Sequence, residues 1–476
     1  MSTSKVRVRF APSPTGFMHL GNVRAALVNY IFAQKNHGAF ILRIEDTDPQ
    51  RNVDPQGMHI MADLAWLGLT YQEGPIIGGP FAPYYQSERT VIYQRFLKAL
   101  ELKSQVYRCF CTTQELEKKR ERQIALKMPP RYDRTCLKLS PEQVEQNLAA
   151  GLLYIWRFKL QEEILAITDL ARGTVQYDLH NFSDFPLTRQ DGSFTFIFAN
   201  FVDDISMEIT HIFRGEEHLS NTALQAALYK AFDAEIPTFW HLPLLCSIDG
   251  KKLSKRDFGF SLNDLREAGF LPEALDNYLA IIGTSVEHEI MSLPEIIQTM
   301  NFDTTHSSGH ITYDIKKLEW VNHKWILKLT PLELAERCHS YILRAYPEAQ
   351  TIQPSALAQL LQYVQSEMIT LADSVKVLEF YFRKPLVTDE ILAGHKLPDY
   401  KDFLHTIISK QILSEFAPDI FVSEITAQCK AQKIPAKEIF ALLRVALTGY
   451  PHGPSIKDIV TMLQPQEALH RLQRLV

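Results

Sequence analysis

Val6, Val8 and Phe10 alternate with Lys5, Arg7 and Arg9, the period of two expected of a strand with one buried face. A turn rich in breakers follows, Ala11-Pro12-Ser13-Pro14-Thr15-Gly16. Leu20, Val23, Leu27, Tyr30 and Ile31 then share one helical face, Gly38 closes that helix, and Phe40 to Ile44 reads as a second strand. Strand, helix, strand implies a parallel pair with a right-handed crossover. Helical spacing returns near 56–67 and 88–103.

The texture changes between 109 and 187. A cysteine pair precedes a charged helical stretch at 114–126, the Pro129-Pro130 break and Cys136, and this segment reads as an insertion. Strand-like runs reappear at Phe194 to Phe198 and Ile209 to Phe213. A helix near 221–232 and a short apolar strand, Leu242 to Leu245, complete a second α/β half. Beyond 259 amphipathic helices dominate, with breaks near 302–311 and 384–399. The pattern therefore predicts an α/β domain split by an insertion, then a mainly helical half.

Length agrees: 476 residues at roughly 150 per domain suggest about three domains. With 46% hydrophobic and 22% charged residues, the chain has the composition of a soluble globular protein with a large core. No apolar run approaches the ~20 residues of a membrane helix, and the N-terminus lacks the apolar core of a secretion signal. Six cysteines are too few for a disulfide framework. Cys109, Cys111 and Cys136 fall close together and suggest a metal in a reducing compartment, hence a cytoplasmic protein. The net charge of −5 argues mildly against a polyanionic partner as a whole-chain sum. Locally the balance differs. Segment 117–138 holds eight Lys/Arg against three acids, and Lys430, Lys433, Lys437 and Arg444 face one acid, Glu438.

Two stretches carry candidate chemistry. Ser13 to Asn22 lies between a strand and a helix N-terminus, where free backbone N–H groups and the helix dipole favour anions. Gly21 permits close approach, and His19 can donate to a phosphate oxygen. Alone, a βα turn with a capping histidine is the better interpretation. Lys251-Lys252-Leu253-Ser254-Lys255-Arg256 has four basic residues in six. Alone it is a solvated loop; functionally it could close over a triphosphate and neutralise departing pyrophosphate. One stretch opens the α/β domain and the other ends it, as two halves of one nucleotide site would.

At this point a resemblance becomes specific. Arg9-Phe10-Ala11-Pro12-Ser13-Pro14-Thr15-Gly16 with His19-Leu20-Gly21-Asn22 resembles the HIGH region of class I aminoacyl-tRNA synthetases in its bacterial glutamyl form. Lys252 to Arg256 resembles the KMSKS loop. Arg43-Ile44-Glu45-Asp46-Thr47-Asp48 and Phe213-Arg214-Gly215-Glu216-Glu217-His218 match two further segments of the family. The resemblance runs nearly end to end. It implies a split Rossmann-like catalytic domain (1–108 and 188–258), an acceptor-binding insertion (109–187), and all-α stem-contact (259–330) and anticodon-binding (331–476) domains.

The resemblance also implies a reaction: glutamate, ATP with Mg²⁺, and tRNA-Glu give glutamyl-tRNA through a glutamyl-adenylate. Neither step needs a protein nucleophile, because the substrate carboxylate is already ionised. His19, Lys252 and Lys255 take the catalytic roles. Arg9 and Arg214 are the carboxylate clamps, Glu45 takes the ammonium, and Ser13 and Asn200 supply neutral hydrogen bonds. His19, Gly21, Asn22, Glu217, Leu245, Lys252 and Lys255 serve ATP. Where the family often has Tyr this chain has Phe196, which predicts weaker ground-state binding of glutamate.

Cys109, Cys111 and Cys136 resemble the family's zinc knob, with Tyr132 as the fourth ligand because Lys138 stands where some members have His. Leu442 to Gly449 matches the helical anticodon domain, which implies tRNA contacts from Lys430, Lys433, Lys437 and Arg444. The segment Gln365-Ser366-Glu367 lacks the arginine that members discriminating against tRNA-Gln often carry, so charging of tRNA-Gln is an alternative. A monomer without membrane attachment is expected. A glutamyl-queuosine tRNA-Asp synthetase would lack the roughly 150 residues after 325. A glutaminyl enzyme usually carries a β-barrel anticodon domain. A small-molecule nucleotidylyltransferase would not need this length, and a catalytically dead tRNA-binding module would not need His19 and Lys255.

Overall fold

The computed structural model describes residues 5–48, 50–253, 258–283, 288–302, 309–387, 405 and 418–473. Two compact units emerge, Met1–Asp264 with Asp276–Asp314, and Leu265–Leu275 with Ile315–Val476.

In the first unit Arg7–Phe10 pairs in parallel with Ala39–Leu42, and the helix Leu20–Lys35 connects them. Leu20, Val23, Leu27 and Ile31 are buried, so the stripe seen in the sequence is the packed face. Thr210 fastens the next pair to this one. Its N–H donates to the Arg7 carbonyl, and its Oγ1 accepts from the Arg7 N–H. His211–Gly215 then runs parallel to Thr238–Leu242. Asp169 pairs with Phe239, so the hairpin Ile164–Asp169/Gly173–Asp178 extends the same sheet. The insertion is thus partly continuous with the nucleotide fold. Its strands Ile155–Phe158 and Phe185–Pro186 join Val106–Cys109, which leads into it, in a separate antiparallel sheet.

Two expectations fail here. Phe194 to Phe198 is not a strand: Thr195 caps a helix, Phe196–Ser206. Residues 198–204 are all buried, including the polar Asn200, Asp203 and Asp204. A run of Phe and Ile then looks like a strand in sequence. Nor is Leu242 to Leu245 one strand. Leu242 ends Thr238–Leu242, Pro243 intervenes, and Leu245–Cys246 pairs separately with Ile311–Thr312. The charged stretch is a helix, Thr113–Ala125, started by a capping box between Thr112 and Glu115.

The second unit is helical, with no strand among its described residues. Thr330 and Glu333 form a capping box at the start of Pro331–Ala345, which packs on Pro354–Val364. Farther on, Pro418–Gln432, Ala436–Thr448, Ile456–Leu463 and Pro465–Leu472 pack together. Gly449, at φ 86°, ends the second of these, a conformation a side chain would strain. Arg471 is buried there and donates from Nη1 to the carbonyls of Phe380 and Leu447. Among the described residues no helix is long and apolar enough to cross a membrane.

Candidate active site

A cavity of about 450 Å³ opens in the first unit. Arg9, Ser13, Glu45, Asn200 and Arg214 line it, as do Phe196 and Leu245. His19, Gly21, Asn22, Glu217 and Lys252 line it too, so residues more than 200 positions apart in sequence meet there. Lys255 falls within 254–257, outside the described residues.

The turn after the first strand presents His19 as the cap of the helix Leu20–Lys35. Its Nδ1 accepts from the Asn22 N–H at 3.2 Å. Burial lowers the imidazole below its ordinary value, against the pull of Glu217. A neutral ring that accepts at Nδ1 carries its proton at Nε2, which leaves a donor. Phe260 stacks on the ring at 5.2 Å, and the Leu20 N–H donates to its carbonyl. A Cβ on Gly21 would come within 3.0 Å of ring Cε1 and Nδ1. The glycine therefore makes room for the histidine as well as for a ligand. Lys252 bridges back to Cys246, and the Leu253 N–H donates to the Leu245 carbonyl.

Opposite lies a buried charge cluster. Arg9 Nε and Nη2 donate to Asp204 Oδ1 and Oδ2 at 3.0 and 3.2 Å. Arg43 donates to the same Asp204 at 2.8 Å and to Glu45 Oε1 at 3.2 Å, with Asp203 3.5 Å from its Nε. Arg89 donates to Asp203 at 2.6 Å. Asn200 Nδ2 donates to Glu45 Oε1 at 2.6 Å, and Gln225 fixes the Asn200 amide by donating to its Oδ1 at 2.8 Å. Burial pushes the Glu45 carboxyl above its usual range, against the pull of Arg43.

Arg214 differs from Arg9. Its Nη2 donates to Thr222 Oγ1 at 2.6 Å, but among the described residues its buried Nε and Nη1 have no hydrogen-bond partner. Burial brings its guanidinium down to about 10. A buried guanidinium that spends one bond on a neutral hydroxyl keeps further hydrogens for a carboxylate. The arrangement can hold a small zwitterion between Arg214 and Glu45, beside a helix N-terminus suited to phosphate. Phe196 faces this space and packs its ring on His218 at 5.5 Å.

The cavity also takes Arg24 and His218, and Arg43 lies behind Glu45, three residues with no individual role predicted from the sequence. Arg24 carried a signal: it follows Val23 on the apolar stripe of the first helix, where a cation is out of place unless buried for a purpose. Burial pulls it down to about 10, and its Nη1 reaches the Pro243 carbonyl at 3.4 Å. Asp203 and Asp204 carried none, since a tandem acid pair reads as surface.

Elsewhere in this unit Cys109, Cys111 and Cys136 place their sulfurs within 4.8 Å of one another. Tyr132 Oη lies 3.3 Å from Cys109 Sγ and 3.9 Å from Cys111 Sγ. Arg157 covers the tyrosine ring at 4.1 Å and holds it over the sulfurs. In the second unit Lys430, Lys433 and Lys437 are exposed. Arg444 is half-buried and donates from Nε to the Pro454 carbonyl at 3.0 Å, so it braces the fold locally. Gln365 turns inward, its Nε2 donating to the carbonyls of Ile326 and Leu329.

Comparison with known proteins bears on this geometry. Residues 5–320 match the family model of class I tRNA synthetases (E and Q), catalytic domain, and residues 333–476 match an anticodon binding domain. The chain is 37% identical to glutamate--tRNA ligase 2 of Syntrophus aciditrophicus, covering 100% of this chain and 98% of that one. It is 34% identical to glutamate--tRNA ligase of Bacillus subtilis, covering 99% and 100%. A solved glutamate tRNA ligase from Elizabethkingia meningosepticum, in complex with its amino acid, superposes with a TM-score of 0.88 at 31% identity, covering 99% of each chain.

Proposed function

The chain belongs to the class I tRNA synthetases of the E and Q group, and on that footing we propose that it joins L-glutamate to the 3′ end of tRNA-Glu, with ATP, for protein synthesis. The observation that carries the choice of amino acid is Arg214, a buried guanidinium that lines one cavity with the Glu45 carboxylate. A dicarboxylic amino acid needs both charge signs. Arg214 takes one carboxylate, Arg9 contributes to the other, and Glu45, with Asn200 and Ser13 beside it, takes the ammonium.

In the first step a glutamate α-carboxylate oxygen attacks the α-phosphorus of ATP, and the bond to the β-phosphate oxygen breaks to release pyrophosphate. His19 Nε2–H donates to a phosphate oxygen, and Lys252, with Lys255, neutralises the leaving charge. Gly21, Asn22, Glu217 and Leu245 hold the nucleotide. Magnesium bound with the triphosphate would screen its charge. In the second step the terminal ribose 2′-hydroxyl attacks the acyl carbon and AMP leaves. Here the chain's part is orientation and charge, with no nucleophile of its own.

Three thiolates and the Tyr132 phenol fit a tetrahedral zinc, and such an ion would knit residues 109–136 together. Lys430, Lys433, Lys437 and Arg444 are assigned to tRNA phosphates, Arg444 through whatever its Pro454 contact leaves open. Charging of tRNA-Gln is favoured by one observation. Position 365 is a glutamine turned into the fold, with no arginine beside it to read the third anticodon base. The protein acts as a cytoplasmic monomer.

Pyrophosphate exchange with glutamate tests this function, run with and without tRNA-Glu. Exchange that depends on both glutamate and the tRNA is expected. Exchange with another amino acid, or none with glutamate and tRNA together, refutes it.

A further inference from the structure

Behind Arg214 runs a chain of buried polar groups that never reaches the cavity. Arg214 Nη2 donates to Thr222 Oγ1 at 2.6 Å, Thr222 Oγ1 lies 2.7 Å from His241 Nε2, and His241 Nδ1 lies 2.6 Å from Asp169 Oδ2. All four side chains are buried. Asp169 is held in turn: Oδ1 accepts from the N–H groups of Ala171 and Arg172, and Oδ2 from that of His241.

Proton positions follow from donor and acceptor rules. A carboxylate only accepts, so at 2.6 Å His241 Nδ1 must carry hydrogen. Burial lowers the His241 imidazole below its ordinary value, against the pull of Asp169, so the ring is neutral and Nε2 is a bare acceptor. The Thr222 hydroxyl must then point at Nε2, although the His218 carbonyl offers it an alternative at 3.2 Å. That orientation turns a Thr222 lone pair to Arg214 Nη2 and fixes the guanidinium where it lines the cavity. Every link has one sense. With the other tautomer, Thr222 would face an N–H and Asp169 would face a lone pair.

We propose that Asp169, His241 and Thr222 are positioning residues that orient Arg214 for the substrate carboxylate, reaching from the insertion's hairpin into the amino-acid site. This rests on the assignment of Arg214 to glutamate. Asp169 ends the strand Ile164–Asp169, whose register partner Phe239 lies under the Arg214 guanidinium at 5.4 Å. The relay and the ring floor thus come from one pair of strands, and a substitution that touches no substrate alters glutamate binding.

Steady-state charging of tRNA-Glu tests it, with KM measured separately for glutamate, ATP and tRNA and thermal unfolding as the control for folding. Thr222→Val keeps the shape and removes the hydroxyl; leaving a buried guanidinium N–H unmet raises the glutamate KM about tenfold. Thr222→Ser restores it to within about twofold, and the ATP and tRNA KM values stay within about twofold throughout. Asp169→Asn retains an acceptor for Ala171 and Arg172 but turns an NH₂ to His241, and acts like Thr222→Val. Arg214→Lys is the reference for the site itself. If it raises the glutamate KM while Thr222→Val and Asp169→Asn do not, the relay is refuted and the site stands. If Arg214→Lys leaves the glutamate KM unchanged, the site assignment fails and takes the relay with it. A fall in kcat with all three KM values moving together, or a lowered melting temperature with no selective effect on glutamate, also overturns the relay. Should Asp169→Asn not fold, the two Thr222 variants decide alone.

Discussion

Arg9 and Asp204 form a two-pronged ion pair inside the protein, Nε to Oδ1 at 3.0 Å and Nη2 to Oδ2 at 3.2 Å. The pair joins the end of the first strand to the helix that follows Thr195, nearly two hundred residues later. Asp204 also accepts from Arg43, so one carboxylate compensates two buried guanidinium groups. Asp204→Ala leaves both without it, and breaking a buried pair of this kind costs about 3–5 kcal/mol. Urea unfolding measures this, and a loss under about 1 kcal/mol contradicts the role assigned.

The same pair predicts a pH dependence. Burial pushes the Asp204 carboxyl up, but Arg9 and Arg43 outweigh it and hold it below the usual carboxylate range. A depressed folded value stabilises the protein above the unfolded value of about 3.9, and that contribution is lost as pH falls through the folded one. Asp204→Asn should therefore flatten the loss of stability below about pH 4. Unfolding curves of unchanged steepness on the acid side contradict this.

Gly21→Ala should slow adenylate formation by more than about tenfold with little loss of stability, because its methyl would press on the His19 ring and turn Nε2 from the phosphate. Single-turnover adenylate formation in the presence of tRNA reads the effect. A near-normal rate shows that His19 tolerates displacement or does not contact phosphate.

Phe196 lines the cavity without a polar atom to offer. Phe196→Tyr adds a hydroxyl that can bond the substrate, so the glutamate KM should fall about three- to tenfold, the worth of one good hydrogen bond. An unchanged KM counts against Phe196 as the cause of weak ground-state binding.

The sulfur cluster predicts about one zinc per chain in protein purified without chelator. Cys136→Ser should lose the metal, and Tyr132→Phe should bind it more weakly. Metal-free protein under those conditions excludes a zinc site, and full affinity in Tyr132→Phe excludes the phenol as ligand.

Much of this was legible in the sequence. Strand, turn and helix over 6–35 follow hydrophobic spacing, because each element buries one face. Motif order brought Arg9, Glu45 and Arg214 together on the strength of family resemblance. The helix Phe196–Ser206 was not legible, because the run of Phe and Ile at its start reads as a strand and its polar residues, Asn200, Asp203 and Asp204, are buried with partners far away in sequence. The relay behind Arg214 was invisible for another reason. Asp169, Thr222 and His241 lie in three separate elements, brought together by the pairing of Asp169 with Phe239 and by the packing of the helix Leu219–Ala231 on that sheet.

Charging of pure tRNA-Glu tests the central claim most directly. The account predicts that purified protein with ATP transfers radiolabelled glutamate to tRNA-Glu, while glutamine and aspartate give no signal. Charging with either of those, or no glutamyl-tRNA from active tRNA and intact protein, would contradict it.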